Sequence, residues 1–272
     1  MTAQLGDGTA REAGGGPEDD VEMGFFEHLG ELRVRLMRAV WGILPGVGAA
    51  WVFKEELLAF LLDPYKRAYA ALGFGEPEIF FKSPTEFFLA YLKIALVVGL
   101  LAATPWVFWQ IWAFISPGLY RREKFLALPF IFFSTLCFAG GAFFGYGVVF
   151  PLAFEFLLGM GTSLSEYITV KPTIMVGEYL TFAPRMLLAF GVVFELPVVL
   201  TFLSAARIVN WVQLMRFGRW FVVIAAVVSA MLTPPDVASQ LLMIGPLVLL
   251  YFLSIGLAFL FGEKVKPGSV PS

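Results

Sequence analysis

The chain has one cysteine and one histidine in 272 residues, and only 15% of its side chains are charged. With Cys137 alone inside the apolar run 130–150, no intramolecular disulfide forms and a thiolate metal site lacks its partners. That cysteine reads as a small core residue. His28 alone rules out a paired-histidine zinc motif such as H-E-x-x-H. No serine sits in a G-x-S-x-G turn, so that hydrolase signature is missing too. No catalytic residue, metal or cofactor is expected, and the chain does not read as an enzyme. A formal net charge of −2, without a basic aromatic stretch, gives no sign of a nucleic-acid partner. Residues 1–22 are Gly-rich, acidic and nearly free of large apolar side chains, which reads as a disordered cytoplasmic tail and not as a cleavable secretory signal.

What fills the chain is apolar. Hydrophobic residues make up 59% of it, with thirty Phe, more than a soluble domain can hide. A bilayer core about 30 Å thick needs roughly 20 apolar residues at about 1.5 Å each. Six stretches come near that: 36–58 with Pro45 inside, 84–108, 125–150 interrupted at Gly140-Gly141, 179–203 with Pro184 and Pro197, 217–232, and 239–261. The expected fold is therefore all-α, an integral membrane bundle of six transmembrane helices in residues 23–262, with a C-terminal tail at 263–272. The fifth and sixth helices are expected to be short. At 1.5 Å per residue the fifth covers only about 24 Å, which implies local membrane thinning, water entry, or bracing by its neighbours.

Lysine and arginine set the orientation. Arg33, Arg35, Arg38, Arg121, Arg122, Lys124, Arg207, Arg216, Arg219, Lys264 and Lys266 fall on one side. The other side carries fewer cations, among Glu55, Glu56, Asp63, Glu76, Glu78, Glu155, Glu166 and Glu178. Both termini are accordingly placed inside, and loops 61–83 and 155–178 form an external cap. No internal repeat is visible, which counts against the commonest transporter architectures.

Four segments carry chemistry. In HLGELRVRL at 28–36, Leu29, Leu32 and Leu36 share one helical face, so the segment either lies along the interface or anchors the first span. Glu31 is the residue that an anchor does not require. In TPWVFWQIWAFISPGLYRREK at 104–124, the Trp residues suit an interfacial belt, while Glu123 and the exposed Phe114 join Glu31 as receptors for a cationic peptide. Arginine fits such carboxylates because its planar guanidinium makes paired, charge-assisted hydrogen bonds. Glu195, in AFGVVFELPV at 189–198, is a costly intramembrane carboxylate beside Pro197. It faces a groove or a partner, or else pairs with Lys93 or Arg185, although Arg185 lies about 15 Å along the same helix. The outer turn MLTPPDVASQ at 231–240 brings Met231, Thr233 and Asp236, with Asp236 placed to cap the sixth helix.

Together with GVVFPLAFEF at 147–156, these segments resemble the TatC family, the multi-spanning subunit of the twin-arginine protein translocase, over residues 25–261. The resemblance implies export of folded proteins bearing Arg-Arg signal peptides, driven by the proton-motive force across a bacterial or archaeal cytoplasmic membrane. It implies signal recognition at Glu31, Phe114 and Glu123, a polar groove position at Glu195, and partner docking at the outer turn of Met231, Thr233 and Asp236. The implied partners are twin-arginine signal peptides, TatA-type and TatB-type single-span subunits, membrane lipid, and further copies of the chain within a hetero-complex. Trp109 stands where the family usually has tyrosine, and Lys124 where arginine is common. The rival reading is a secondary transporter in which Glu195, Arg185 and Lys93 relay an ion or proton; an intramembrane hydrolase lacks a nucleophile and base.

Overall fold

The computed structural model describes residues 25–75, 77–116, 127–162, 172–233 and 237–261. The tails 1–22 and 263–272 lie outside the described residues, as do Glu123 and Asp236. Ten α-helices and one two-stranded ribbon follow in order: α1 (Phe25–Val52), α2 (Lys54–Ala71), β1 (Ile79–Phe80), α3 (Pro84–Ala102), α4 (Thr104–Ile115), α5 (Ala127–Phe144), α6 (Phe150–Thr162), β2 (Ile174–Met175), α7 (Val176–Phe194), α8 (Leu196–Ala205), α9 (Trp211–Leu232) and α10 (Val237–Phe261). Five spans are long and apolar enough to cross a bilayer, and the α1–α2 pair, bent by 82°, makes the sixth. The six-span, all-α expectation holds, and the boundaries move.

Within the first span, helix α1 ends at Val52 and not at residue 58, because the acidic and basic residues from Lys54 onward favour a separate amphipathic helix. Residues 28–36 are the opening turns of α1 and not a separate interfacial helix. The second span breaks at Ala103, where Pro105 in the first turn of α4 cannot donate to the preceding turn. Gly140-Gly141 does not interrupt the third span. Helix α5 runs through it, passes a π-helical turn at Gly145–Val149, and continues as α6. The fifth helix begins at Trp211, set by an Asn210–Gln213 capping box, and its 22 residues reach about 33 Å. The expected 24 Å is corrected accordingly. With α10 at 25 residues, these two are shorter than the 30-residue span 176–205 and the 33-residue span 128–160 but longer than the 19-residue α3.

Glycines set the helix spacing. A Cβ on Gly99 of α3 would stand 2.5 Å from the Val47 amide nitrogen, and one on Gly46 would stand 2.7 Å from the Gly99 carbonyl. Gly42 sits directly under Trp106, whose Nε1 donates to the Arg38 carbonyl at 3.0 Å. The Gly42-x-x-x-Gly46 face thus brings α1 against α3 and α4, as small residues do where no water drives helix association. Gly141 and Gly145 do the same for α5 beneath Phe190 of α7.

One end is an aromatic cap. Tyr65 of α2, fully buried, packs with Phe154 of α6 and Tyr179 of α7. Tyr146, in the π-helical turn, stacks on Phe60 at 4.2 Å and donates to its carbonyl at 2.8 Å, while Tyr179 donates to Leu61. The two connections at this end are stitched by a parallel ladder, Ile79 opposite Ile174 and Phe80 opposite Met175. Glu86 accepts from the amides of Lys82 at 2.6 Å and Gly177 at 2.8 Å. Lys82 Nζ donates to Glu178 at 2.8 Å, and this bond holds the ammonium above the ordinary lysine value.

Candidate functional site

At the opposite end, the first turns of α1 meet the last turn of α4. Helix α4 is short and carries Phe114 near its end, and α1 places His28 and Glu31 one turn apart on its inner side. The His28 ring stacks on Phe114 with centroids 4.4 Å apart and planes 21° apart. Glu31 and Phe114, distant in sequence, are thereby gathered at one spot. The Glu31 side chain is only 19% exposed. Its Oε1 accepts from Arg35 Nη2 at 3.2 Å and from Nε at 3.4 Å, while Oε2 is buried and has no hydrogen-bond partner among the described residues. One carboxylate oxygen is therefore held by the chain's own guanidinium, and the other is an unused acceptor in a partly desolvated spot. Arg33 and Arg38 point to the exposed side of the same helix.

Inside the bundle, Glu195 sits at the joint between α7 and α8, with Pro197 following in the first turn of α8. Pro197 has no amide hydrogen, so the Val193 carbonyl lacks its usual donor. The carboxylate lies toward Ser134 and the backbone of Phe138 on α5. Neither Glu195 oxygen nor Ser134 Oγ completes a hydrogen bond among the described residues. Gln110 Oε1 and Thr201 Oγ1 are buried in the same unpaired state on α4 and α8. Four polar side chains with unspent bonding capacity, on three helices and the α7–α8 joint, are unusual in an apolar bundle, where such groups normally find partners. Sequence reading found Glu195 and missed Ser134, Gln110 and Thr201.

The alternative reading, in which Glu195 pairs with Lys93 or Arg185, does not hold among the described residues. Lys93 Nζ donates to Thr181 Oγ1 at 3.0 Å, and Arg185 lines a cavity at the capped end. The three residues of the rival relay are thus not joined. At the same end, Met231 is 75% exposed on α9, whereas Thr233 is turned inward and donates to the Ser229 carbonyl at 2.9 Å. Gln240 braces this hairpin from α10 by donating to the Ala226 carbonyl, while Ser229 donates to the carbonyl of Gln240. No group of three or more potential metal ligands occurs among the described residues.

Six apolar spans, a partly buried carboxylate beside an aromatic ring at one end, and unpaired polar groups within the bundle define a polytopic helical membrane protein. Residues 27–246 match the family model of the Sec-independent protein translocase protein TatC. The chain is 44% identical over 240 residues to TatC of Desulforapulum autotrophicum, covering 88% of this chain and 86% of that one. It is 39% identical over 244 residues to TatC of Aquifex aeolicus, covering 90% and 98%. A crystal structure described as the twin arginine translocase receptor TatC superposes with a TM-score of 0.75 at 40% identity, covering 86% of this chain and 99% of that one. The same receptor in the detergent DDM gives 0.76 at 39% identity, covering 85% and 99%. The chain belongs to the TatC family of Sec-independent protein translocase proteins.

Proposed function

We propose that this chain is the receptor subunit of a twin-arginine translocase, and that its α1–α4 end binds the paired arginines of signal peptides on folded cargo. The observation that carries this reading is the His28–Phe114 stack, which sets an aromatic surface one helical turn from the half-occupied, partly buried Glu31 carboxylate. An incoming guanidinium donates to the free Oε2 while its flat face lies on the ring surface. Glu123, outside the described residues, is the second carboxylate in this reading and takes the other arginine. Lysine makes a single point contact at such a site, so Arg-Arg is preferred over Lys-Lys. A charge-assisted hydrogen bond contributes about 1.5–3 kcal/mol, or roughly a 10- to 100-fold preference. The carboxylates recognise and do not catalyse.

In this reading the basic ends of the helices, including both termini, face the cytoplasm and the aromatic cap faces out, in a bacterial or archaeal cytoplasmic membrane. The apolar part of the signal peptide runs along the bundle. Glu195 lines its polar interior, and the exposed Met231, with Thr233 and Asp236 of the outer turn, receives TatA-type and TatB-type single-span subunits. Further copies of the chain join the same hetero-complex, and transport draws on the proton-motive force. The test is export of a folded reporter in a strain lacking its own subunit and supplied with this chain. Export behind an Arg-Arg signal, and none behind its Lys-Lys control, supports the proposal; equal export of both overturns it.

A further inference from the structure

Two cations stand within the bilayer-spanning helices near the capped end. Lys93 on α3 and Arg185 on α7 each lie about 14 Å inward from the outer ends of their helices. Both side chains are exposed. Neither has a carboxylate within salt-bridge distance among the described residues, whose ion pairs are Glu31 with Arg35, Asp63 with Arg67 and Glu178 with Lys82. Holding a charge at such depth costs several kcal/mol unless an anion or water reaches it. Two like charges on packed helices make that demand stronger.

The local geometry supplies a place for the anion. Thr181 stands one turn before Arg185 on α7, and both line a cavity of about 360 Å³ whose far wall is Met231, Leu232 and Thr233 at the end of α9. Thr181 Oγ1 is already committed, donating to the Gly177 carbonyl at 2.7 Å and accepting from Lys93 at 3.0 Å. The hydrogens free to meet a ligand are therefore the guanidinium N–H groups of Arg185 and the remaining ammonium hydrogens of Lys93. Among the described residues Glu178 is the one carboxylate on the cavity wall, and Lys82 already occupies it. Arg185 shares this cavity with Glu178, about two turns nearer the end of α7, and with Leu232 and Thr233 at the end of α9, so its long side chain reaches toward that end of the bundle. Below the cavity, Met231, Val227 and Ile224 present an exposed apolar strip suited to an acyl chain.

We propose that Arg185, together with Lys93 held by Thr181, binds the phosphate of a phospholipid in the leaflet at the capped end. A phosphate offers several acceptor oxygens to the guanidinium fork and neutralises both cations at once. This assignment does not depend on the signal-peptide site at the other end of the bundle.

The test is native mass spectrometry of the purified full chain in detergent. It is titrated with phosphatidylglycerol, with a diacylglycerol glucoside of the same chains, and with inorganic phosphate. Phosphatidylglycerol is expected to be retained at least about tenfold better than the glucoside, with no retention of inorganic phosphate. The Lys93→Gln/Arg185→Gln double variant should bind phosphatidylglycerol only as well as the parent binds the glucoside. Its lipid-free Tm should match that of the parent, since glutamine at 93 still donates to Thr181. Equal retention by parent and double variant overturns the proposal, as does equal retention of the two lipids. Retention of inorganic phosphate would make this a free-anion site. A synthetic apolar helix with one glutamate near its outer end is the last arm. If it stabilises the parent where phosphatidylglycerol does not, the cations serve a partner helix and the lipid assignment fails.

Discussion

Arg35 Nη2 lies 3.2 Å from Glu31 Oε1, so the chain places its own guanidinium on the carboxylate proposed to receive a substrate arginine. The pair is an i,i+4 contact on α1, and such pairs contribute only about 0.3–0.5 kcal/mol. It is weak enough to yield to an incoming ligand. Arg35→Gln removes an internal competitor and one neighbouring positive charge. Titration with a labelled Arg-Arg peptide should then show binding tightened by about two- to fivefold. Weaker binding would show instead that Arg35 positions Glu31.

Glu195 is expected to separate folding from transport. Its oxygens are buried without partners at the α7–α8 joint. Glu195→Gln removes the charge and keeps the shape, so Tm should hold or rise, because an unpaired buried charge is a liability. Signal-peptide affinity should stay within about twofold, within the 0.5 kcal/mol usual for a distant site. Crosslinking to the single-span subunits under an energised membrane should change, and an unchanged pattern would remove Glu195 from the assembly step.

Gly99 and Gly140 should respond in opposite ways to the same change. A Cβ at Gly99 would meet Val47 backbone atoms at 2.5 and 2.7 Å, where nothing rotates away. Gly99→Ala should therefore destabilise by about 1–3 kcal/mol, read as a lowered Tm in detergent. At Gly140 nothing lies within 4 Å of the added carbon. Gly140→Ala should be neutral or raise Tm, by up to about 1 kcal/mol of helix propensity.

The outer stitch has a definite pH sign. Lys82 is held above its ordinary value of 10.5 by its hydrogen bond to Glu178. A raised folded value means that the contribution is complete below the unfolded lysine value and is lost as pH rises through the folded one. Amide exchange at Ile174 and Met175, corrected for its intrinsic pH dependence, should show constant protection from pH 6 to 9 and lose some only above about 10.5. Glu86→Ala removes the acceptor of two amides and should speed exchange at both residues already at neutral pH.

The six spans were legible because apolar length is written locally, and Glu195 was legible because a carboxylate within such a run is conspicuous. The ends were harder. Arg216 and Arg219 interrupt the apolar pattern, so α9 seemed to begin at 217, although the Asn210–Gln213 capping box marks its start. Helix α2 carries enough charge to read as loop, and only its packing on α6 reveals a buried aromatic face. Arg207 adopts φ 60° in the α8–α9 turn, with no glycine to announce a left-handed residue. Gly140-Gly141 looked like a break because a lone sequence cannot tell a flexible glycine from one that lets another helix approach. At the α1–α4 end, Glu31 and Phe114 were visible by type, as was Glu123, which lies outside the described residues. His28 was read only as excluding zinc, since its stack on Phe114 depends on the α1–α4 crossing.

The most direct test is fluorescence anisotropy of a labelled signal peptide binding to the purified chain in detergent, with Arg-Arg and Lys-Lys versions compared on the parent, Glu31→Gln and Glu123→Gln. The account predicts a roughly 10- to 100-fold preference for Arg-Arg on the parent, largely lost in either variant. Undiminished Arg-Arg binding and discrimination in both variants would contradict it.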